Sequence, residues 1–149
     1  MKDIHTADAQ LIHLFRRISM PAARIALFII FFWFGMLKLI GLSPAGPMVQ
    51  DLANTLIPFI PFGTFYICFA LLECIIGILF IIPGLERIVI PLLFLQMIST
   101  FMPLIFLPSM TWSVPLVPTL EGQYIIKNLV IIALAFGIAA HLHPLPRKI

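Results

Sequence analysis

Three charged residues stand inside stretches that are otherwise apolar enough to cross a membrane: Lys38, Glu73 and Lys127. A charge at the centre of a bilayer costs at least ~2.5–3.5 kcal/mol on insertion scales. Such a residue persists where it pairs with another, faces a wet cavity or reaches the interface. A buried carboxylate and ammonium can fix a helix register, hold a proton or bind a polar ligand. Gln96, Ser99, Thr100 and Asn128 add uncharged hydrogen-bonding groups inside the same kind of stretch. None of these residues forms a nucleophile–base pair, a nucleotide loop, a haem signature or a metal cage. Catalysis by the chain itself is therefore not expected, and no metal site is assigned.

The elements that carry these residues follow from composition. The 149 residues are 62% hydrophobic and 10% charged, whereas a soluble domain is about 45–50% apolar and about 25% charged. Water offers no way to cover so much apolar side chain; a bilayer does. Four apolar runs stand out, at about 25–42, 62–82, 88–107 and 124–140. Each is long enough to cross a ~30 Å hydrocarbon core. Lipid leaves no partner for free backbone groups, so each must be helical. The expected fold is an all-α membrane protein, a four-transmembrane-helix bundle, with 1–149 as a single membrane domain.

Proline and glycine punctuate the connections. Ser19 and Pro21 read as a helix start. Pro44, Pro47, Pro58 and Pro61 fill the first loop, with room for a short surface helix over 48–56. Pro83 and Gly84 make a tight turn, and Pro108, Pro115 and Pro118 fill the third loop. Pro91 and Pro103 fall inside the third span, where they can kink it. Residues 1–20 are too polar for a cleavable leader. In that segment Leu11, Leu14, Phe15 and Ile18 share one helical face, opposite Arg16 and Arg17. This predicts an N-terminal amphipathic interfacial helix on the inner headgroup layer. A simple extension of the first span is the alternative.

Lysine and arginine set the expected orientation. Lys2, Arg16, Arg17, Arg24, Arg87, Arg147 and Lys148 all fall on one side of a four-span topology, and loops 43–61 and 108–123 carry no basic residue. Both termini are expected to be cytoplasmic. Lys38 and Lys127 then sit ~5–6 Å below the outer surface at 1.5 Å per residue. Glu73, Gln96, Ser99 and Thr100 lie near mid-depth.

The faces converge. Tyr66, Ala70, Glu73 and Gly77 recur at helical spacing, with small residues on either side of the carboxylate that admit a close neighbour. Gln96, Ser99, Thr100 and Pro103 form a polar stripe, and Asn128 lies beside Lys127. These stripes predict an outward-facing polar pocket. Lys38 is the natural partner of Glu73, because a short connection favours adjacent helices, and Glu121 can supply a further negative charge. Two readings stay open for each. The lysines either line the pocket or snorkel to outer headgroups, and Glu73 is either a structural partner or a ligand or proton site. Ser99 and Thr100 can equally bond to their own helix.

Other features are weaker. Cys68 and Cys74 read as small buried hydrophobes, ~9 Å apart along one helix and too far for a disulfide. His141 and His143 read as interfacial. Trp112, Tyr66 and Tyr124 suit an outer aromatic belt, while Trp33 is deeper and is expected to pack inside the bundle. No basic stripe with interleaved aromatics marks a nucleic-acid face.

The segment "FWFGMLKLIG", with Trp33, Gly35 and Lys38, resembles the W-x-G-x-x-K segment of the DoxX-like family of small bacterial inner-membrane proteins. "LLECIIGILFIIPGLER", with Glu73 and Gly77, resembles the second span of the family's reactive-chlorine-resistance branch. "MISTFMPLIFL" resembles its third span, and "EGQYIIKNLVIIALA", with Lys127, its fourth. The outer loops are shorter here than in that branch. The resemblance covers roughly residues 20–140. It implies a four-helix bacterial inner-membrane protein, linked in some members to quinone-coupled oxidoreductase complexes and in others to oxidative or chlorine stress. Lys38, Glu73 and Lys127 are the positions it carries over as functional.

Three functions follow as expectations. The first is a redox- or stress-resistance-linked membrane component whose pocket holds a quinone or other small ligand. The second is a non-enzymatic scaffold or assembly subunit, with oxidoreductase subunits or further copies of the chain as partners in the bilayer. The third is a small transporter or channel, which the absence of an inverted repeat disfavours.

Overall fold

The computed structural model describes residues 2–142. His143, Arg147 and Lys148 lie outside the described residues, so the sequence readings placed on them gain no structural account. Helix α1 (Lys2–Leu39) is followed by a short α2 (Gly46–Leu56), then by α3 (Phe62–Ile81) and α4 (Glu86–Phe101). Two four-residue helices, α5 (Pro103–Phe106) and α6 (Pro108–Thr111), lead into a hairpin of β1 (Trp112–Val114) and β2 (Val117–Pro118). Helices α7 (Leu120–Ile126) and α8 (Leu129–Ala139) complete the chain. Four helical stretches are long and apolar enough to cross a membrane: His5–Leu39, Phe62–Ile81, Glu86–Phe106 and Leu120–Ala139.

The side chains say what solvent these helices require. No more than 33% of any span's apolar window is buried inside the protein. On α1 the outward positions Ile25, Ile29 and Trp33 are all more than half exposed. Such a continuous apolar exterior belongs against lipid. The buried core runs through Leu27, Ile76, Phe80, Val89, Leu93, Ala135 and Ile138. It fills the half of the bundle next to the tight turn at Pro83–Gly84, where Gly84 takes φ 90°, a conformation open to glycine. At the same end Arg24 of α1 forms an ion pair with Glu86, in the first turn of α4.

Helix α1 packs antiparallel along α3 at backbone contact. A Cβ on Gly77 would stand 2.7 Å from the Phe32 nitrogen, and one on Gly35 would stand 2.8 Å from the Ala70 carbonyl oxygen. Each helix therefore contributes one glycine that lets the other's backbone approach. In lipid, where apolar side chains gain little by leaving the solvent, such close packing carries much of the association.

The structure departs from the sequence reading in several places. Ser19 does not start a helix: α1 begins at Lys2 and runs through Pro21 without interruption, and the Ser19 hydroxyl donates to the Arg16 carbonyl at 3.3 Å. A single proline removes one backbone bond, which flanking turns outweigh. The resulting 38-residue helix is about 57 Å long at 1.5 Å per residue, well beyond a ~30 Å hydrocarbon core. Residues 2–20 are thus continuous with the first span. Pro91 also sits within an unbroken helix, whereas α4 ends at Phe101, just ahead of Pro103. The third loop is built rather than open. Trp112 pairs with Pro118 and Val114 with Val117, and Leu116 at the tip takes φ 66°. The fourth span is divided at Lys127–Asn128.

Candidate functional site

Three of the intramembrane polar residues meet. The Lys38 ammonium donates to Glu73 Oε2 at 2.6 Å, and the Gln96 amide nitrogen donates to Glu73 Oε1 at 3.0 Å. Each comes from a different helix: α1, α3 and α4. All three are buried, at 8%, 8% and 2% relative exposure. Both carboxylate oxygens are thereby engaged, one by a charge and one by an amide. A buried charge is tolerated on those terms.

Local structure explains the meeting. Gly35 and Gly77 bring α1 against α3, so Lys38, one turn beyond Gly35, lies over the carboxylate. Glu73 is about 16 Å along α3 from Phe62 at 1.5 Å per residue, near mid-span. Helix α1 ends at Leu39, beside the middle of α3, and the Lys38 head turns toward Glu73. Lys38 thus meets the partner that the sequence reading named for it, Glu73. The Phe69 ring lies 5.7 Å from the ammonium, within range of a cation–π contact.

The remaining site residues lie outside this cluster. Ser99 and Thr100 both donate to the Gln96 main-chain oxygen, at 2.7 and 3.0 Å. Lys127 is exposed and lies over the Tyr124 ring at 4.8 Å. Asn128 donates back to the Tyr124 and Ile125 carbonyls, satisfying backbone freed by the break between α7 and α8. Glu121 is exposed in the first turn of α7. Among the described residues no hydrogen bond or ion pair joins Lys127, Asn128 or Glu121 to the cluster. Tyr66 is half-buried on α3 near Gly46 of α2. The stripes of α3 and α4 thus meet at Lys38 of α1, whereas the polar residues of the fourth span bond locally.

Two further corrections concern exposure. Trp33 is 63% exposed: with Gly35 facing α3, a residue two positions back points about 200° away, toward lipid. Cys68 is exposed, while Cys74 is buried beside the Phe32 carbonyl; both are free thiols. Trp112 donates its indole N–H to the Leu104 carbonyl at 2.9 Å, which ties the hairpin to α5.

What the cluster borders is apolar. A groove of about 210 Å³ runs between α3 and α4, walled by Phe65, Phe69, Leu72 and Met102, with Gln96 and Ser99 as its polar lining. A second groove of about 490 Å³, on the other side of Ile98 and Met102, is lined by α4, α5 and Ile132 of α8. Sequence reasoning found Gln96 from its stripe, but not the groove beside it.

Comparison with family models, curated proteins and solved structures finds no match for this chain.

Proposed function

We propose that this chain is a small-molecule-binding membrane protein of the DoxX-like type, linked to redox or oxidative-stress chemistry without catalysing a reaction itself. It sits in a bacterial inner membrane with both termini cytoplasmic. The carrying observation is the Lys38–Glu73–Gln96 cluster, a charged pair held at mid-span with its amide member on the wall of an apolar groove. Pockets of this character, mostly apolar with a few placed polar groups, suit flat hydrophobic ligands. A quinone ring between Phe65, Phe69 and Leu72, with its tail in lipid, is the occupant this reading names. The basic residues Arg16, Arg17, Arg24 and Arg87 support the orientation, and the four apolar helices support the membrane setting. The test is solvent extraction of the protein purified from its native membrane, followed by quinone titration. A co-purifying quinone or saturable binding supports the reading; neither, in folded protein, removes it.

A second reading has its own observation. The cluster joins three helices, and Gly35 and Gly77 already fix two of them at backbone contact. A pure scaffold would use the pair to set helix register. Replacing Lys38 by Met and Glu73 by Gln together separates the two. A scaffold keeps its cellular phenotype when the double variant folds, and a ligand site loses it.

A further inference from the structure

Helix α1 carries a pattern that the bundle does not use. Leu11, Phe15, Ile18, Ala22, Ile25 and Ile29 follow one another at alternating steps of four and three residues, and Phe32 and Met36 continue the series. That is the seven-residue repeat of a coiled-coil seam. It holds for between three and four heptads, the length at which the pattern marks a coiled coil. Leu11, Phe15, Ile18, Ile25 and Ile29 are between 43% and 56% exposed. Ile18 precedes the buried Leu27 by nine residues, about two and a half turns, so the seam faces away from the bundle. Arg16 precedes Leu27 by eleven residues, about three turns, so it lies on the bundle's side of the helix.

Lipid can cover only part of this seam. The Arg24–Glu86 ion pair and the Pro83–Gly84 turn close the bundle at one end. Leu11 lies about 20 Å beyond Arg24 at 1.5 Å per residue. Every residue from His5 to Ser19 is exposed, so among the described residues nothing covers the seam there. Helix α1 runs through Pro21 without a break, which keeps the projecting half of the seam in line with the span.

We propose that two copies of this chain pair in parallel along this face of α1, through a coiled coil that starts beyond the membrane and continues into it. Three points make a second copy the occupant. Copies inserted the same way present their α1 helices in parallel, and a two-fold pair uses one face twice; a seam that is apolar at every step complements itself. No charge stands on the seam between Leu11 and Met36, so two copies meet there without repulsion. One step before Leu11 the repeat falls on Asp8, where two carboxylates would face each other, and the seam therefore starts at Leu11. The area also suffices. With Leu14 and Met36 the face holds seven large exposed side chains. At roughly 100 Å² each they offer about 700 Å² per copy, close to the ~800 Å² per partner of a stable interface. The pairing is independent of the Lys38–Glu73–Gln96 cluster and of what binds beside it.

The test places single cysteines on the full chain, in a Cys68→Ala, Cys74→Ala background, and oxidises them in the membrane. Leu11→Cys, Phe15→Cys and Ile18→Cys should give disulfide-linked dimers. Ala9→Cys, His13→Cys and Arg16→Cys, on the other face, should not. Ile18→Glu, which sets two carboxylates together, should convert the dimer seen by native mass spectrometry to monomer, while His13→Glu keeps the dimer. An unchanged unfolding midpoint shows that both variants stay folded. A monomeric wild-type chain, or equal cross-linking from both faces, overturns the proposal. So does a fluorophore at Leu11→Cys that brominated lipid quenches as strongly as one at Ile25→Cys, because the face would then lie on the membrane surface.

Discussion

The Lys38 ammonium and the Glu73 carboxylate meet at 2.6 Å from positions 35 residues apart in the chain, and both are buried in the span region. Removing one member leaves the other charged and unpaired, which costs about 3–5 kcal/mol for a buried pair. Lys38→Met and Glu73→Gln are each expected to lower thermal stability in detergent by that order. The double variant should recover most of the loss, since it leaves no buried charge without a partner. Additive losses in the double variant would show that the two side chains do not interact.

Gly35 and Gly77 set the distance between α1 and α3. Gly77→Ala puts a methyl 2.7 Å from the Phe32 nitrogen, and Gly35→Ala puts one 2.7 Å from the Cys74 sulfur. Backbone must move in both cases, since the Gly35 methyl also meets the Ala70 carbonyl oxygen at 2.8 Å, so a loss of about 1–3 kcal/mol is expected for each, as for overpacked cores. Gly63→Ala and Gly137→Ala meet no atom within 4 Å. In α3 and α8 they should be neutral or gain up to ~1 kcal/mol from helix propensity. Unfolding midpoints of the four variants test this ordering.

The hairpin of β1 and β2 depends on Gly122. Its α-carbon packs against the Thr111 carbonyl, closely enough that a Cβ there would overlap it. Thr119 caps α7 by accepting from the Gly122 N–H at 3.1 Å and itself donates to the Met110 carbonyl at 2.7 Å. Gly122→Ala should therefore loosen this cap. Amide hydrogen exchange at residues 112–119 should accelerate while α3 exchange stays unchanged.

Orientation is open to direct labelling. In a Cys68→Ala, Cys74→Ala background, Leu116→Cys at the hairpin tip and Pro83→Cys at the tight turn place single thiols at opposite ends of the bundle. A membrane-impermeant maleimide applied to intact cells should label position 116 and leave position 83 unlabelled until the membrane is opened. The reverse pattern would contradict the proposed orientation.

Much of the architecture was legible because lipid allows few alternatives. Hydropathy located four spans, and spacing placed Glu73 between Ala70 and Gly77 on a face narrow enough for another helix. The Lys38–Glu73 pair followed from adjacency. The register of α1 against α3 was not legible, because the close approaches at Gly35 and Gly77 fix it. Trp33 misled for a related reason: depth along a helix says nothing about direction around it, which Gly35 decides. The hairpin at residues 112–118 left little trace, since its strands have three and two residues. The helical break at Lys127–Asn128 is marked only by an asparagine that bonds back to its own turn.

Native mass spectrometry from lipid nanodiscs tests the central claim most directly, because it weighs the intact protein with whatever it carries. The account predicts a non-lipid small molecule retained by the wild-type chain and absent from a folded Lys38→Met, Glu73→Gln variant. A wild-type chain that carries only phospholipid, under conditions where added quinone also fails to bind, would contradict it.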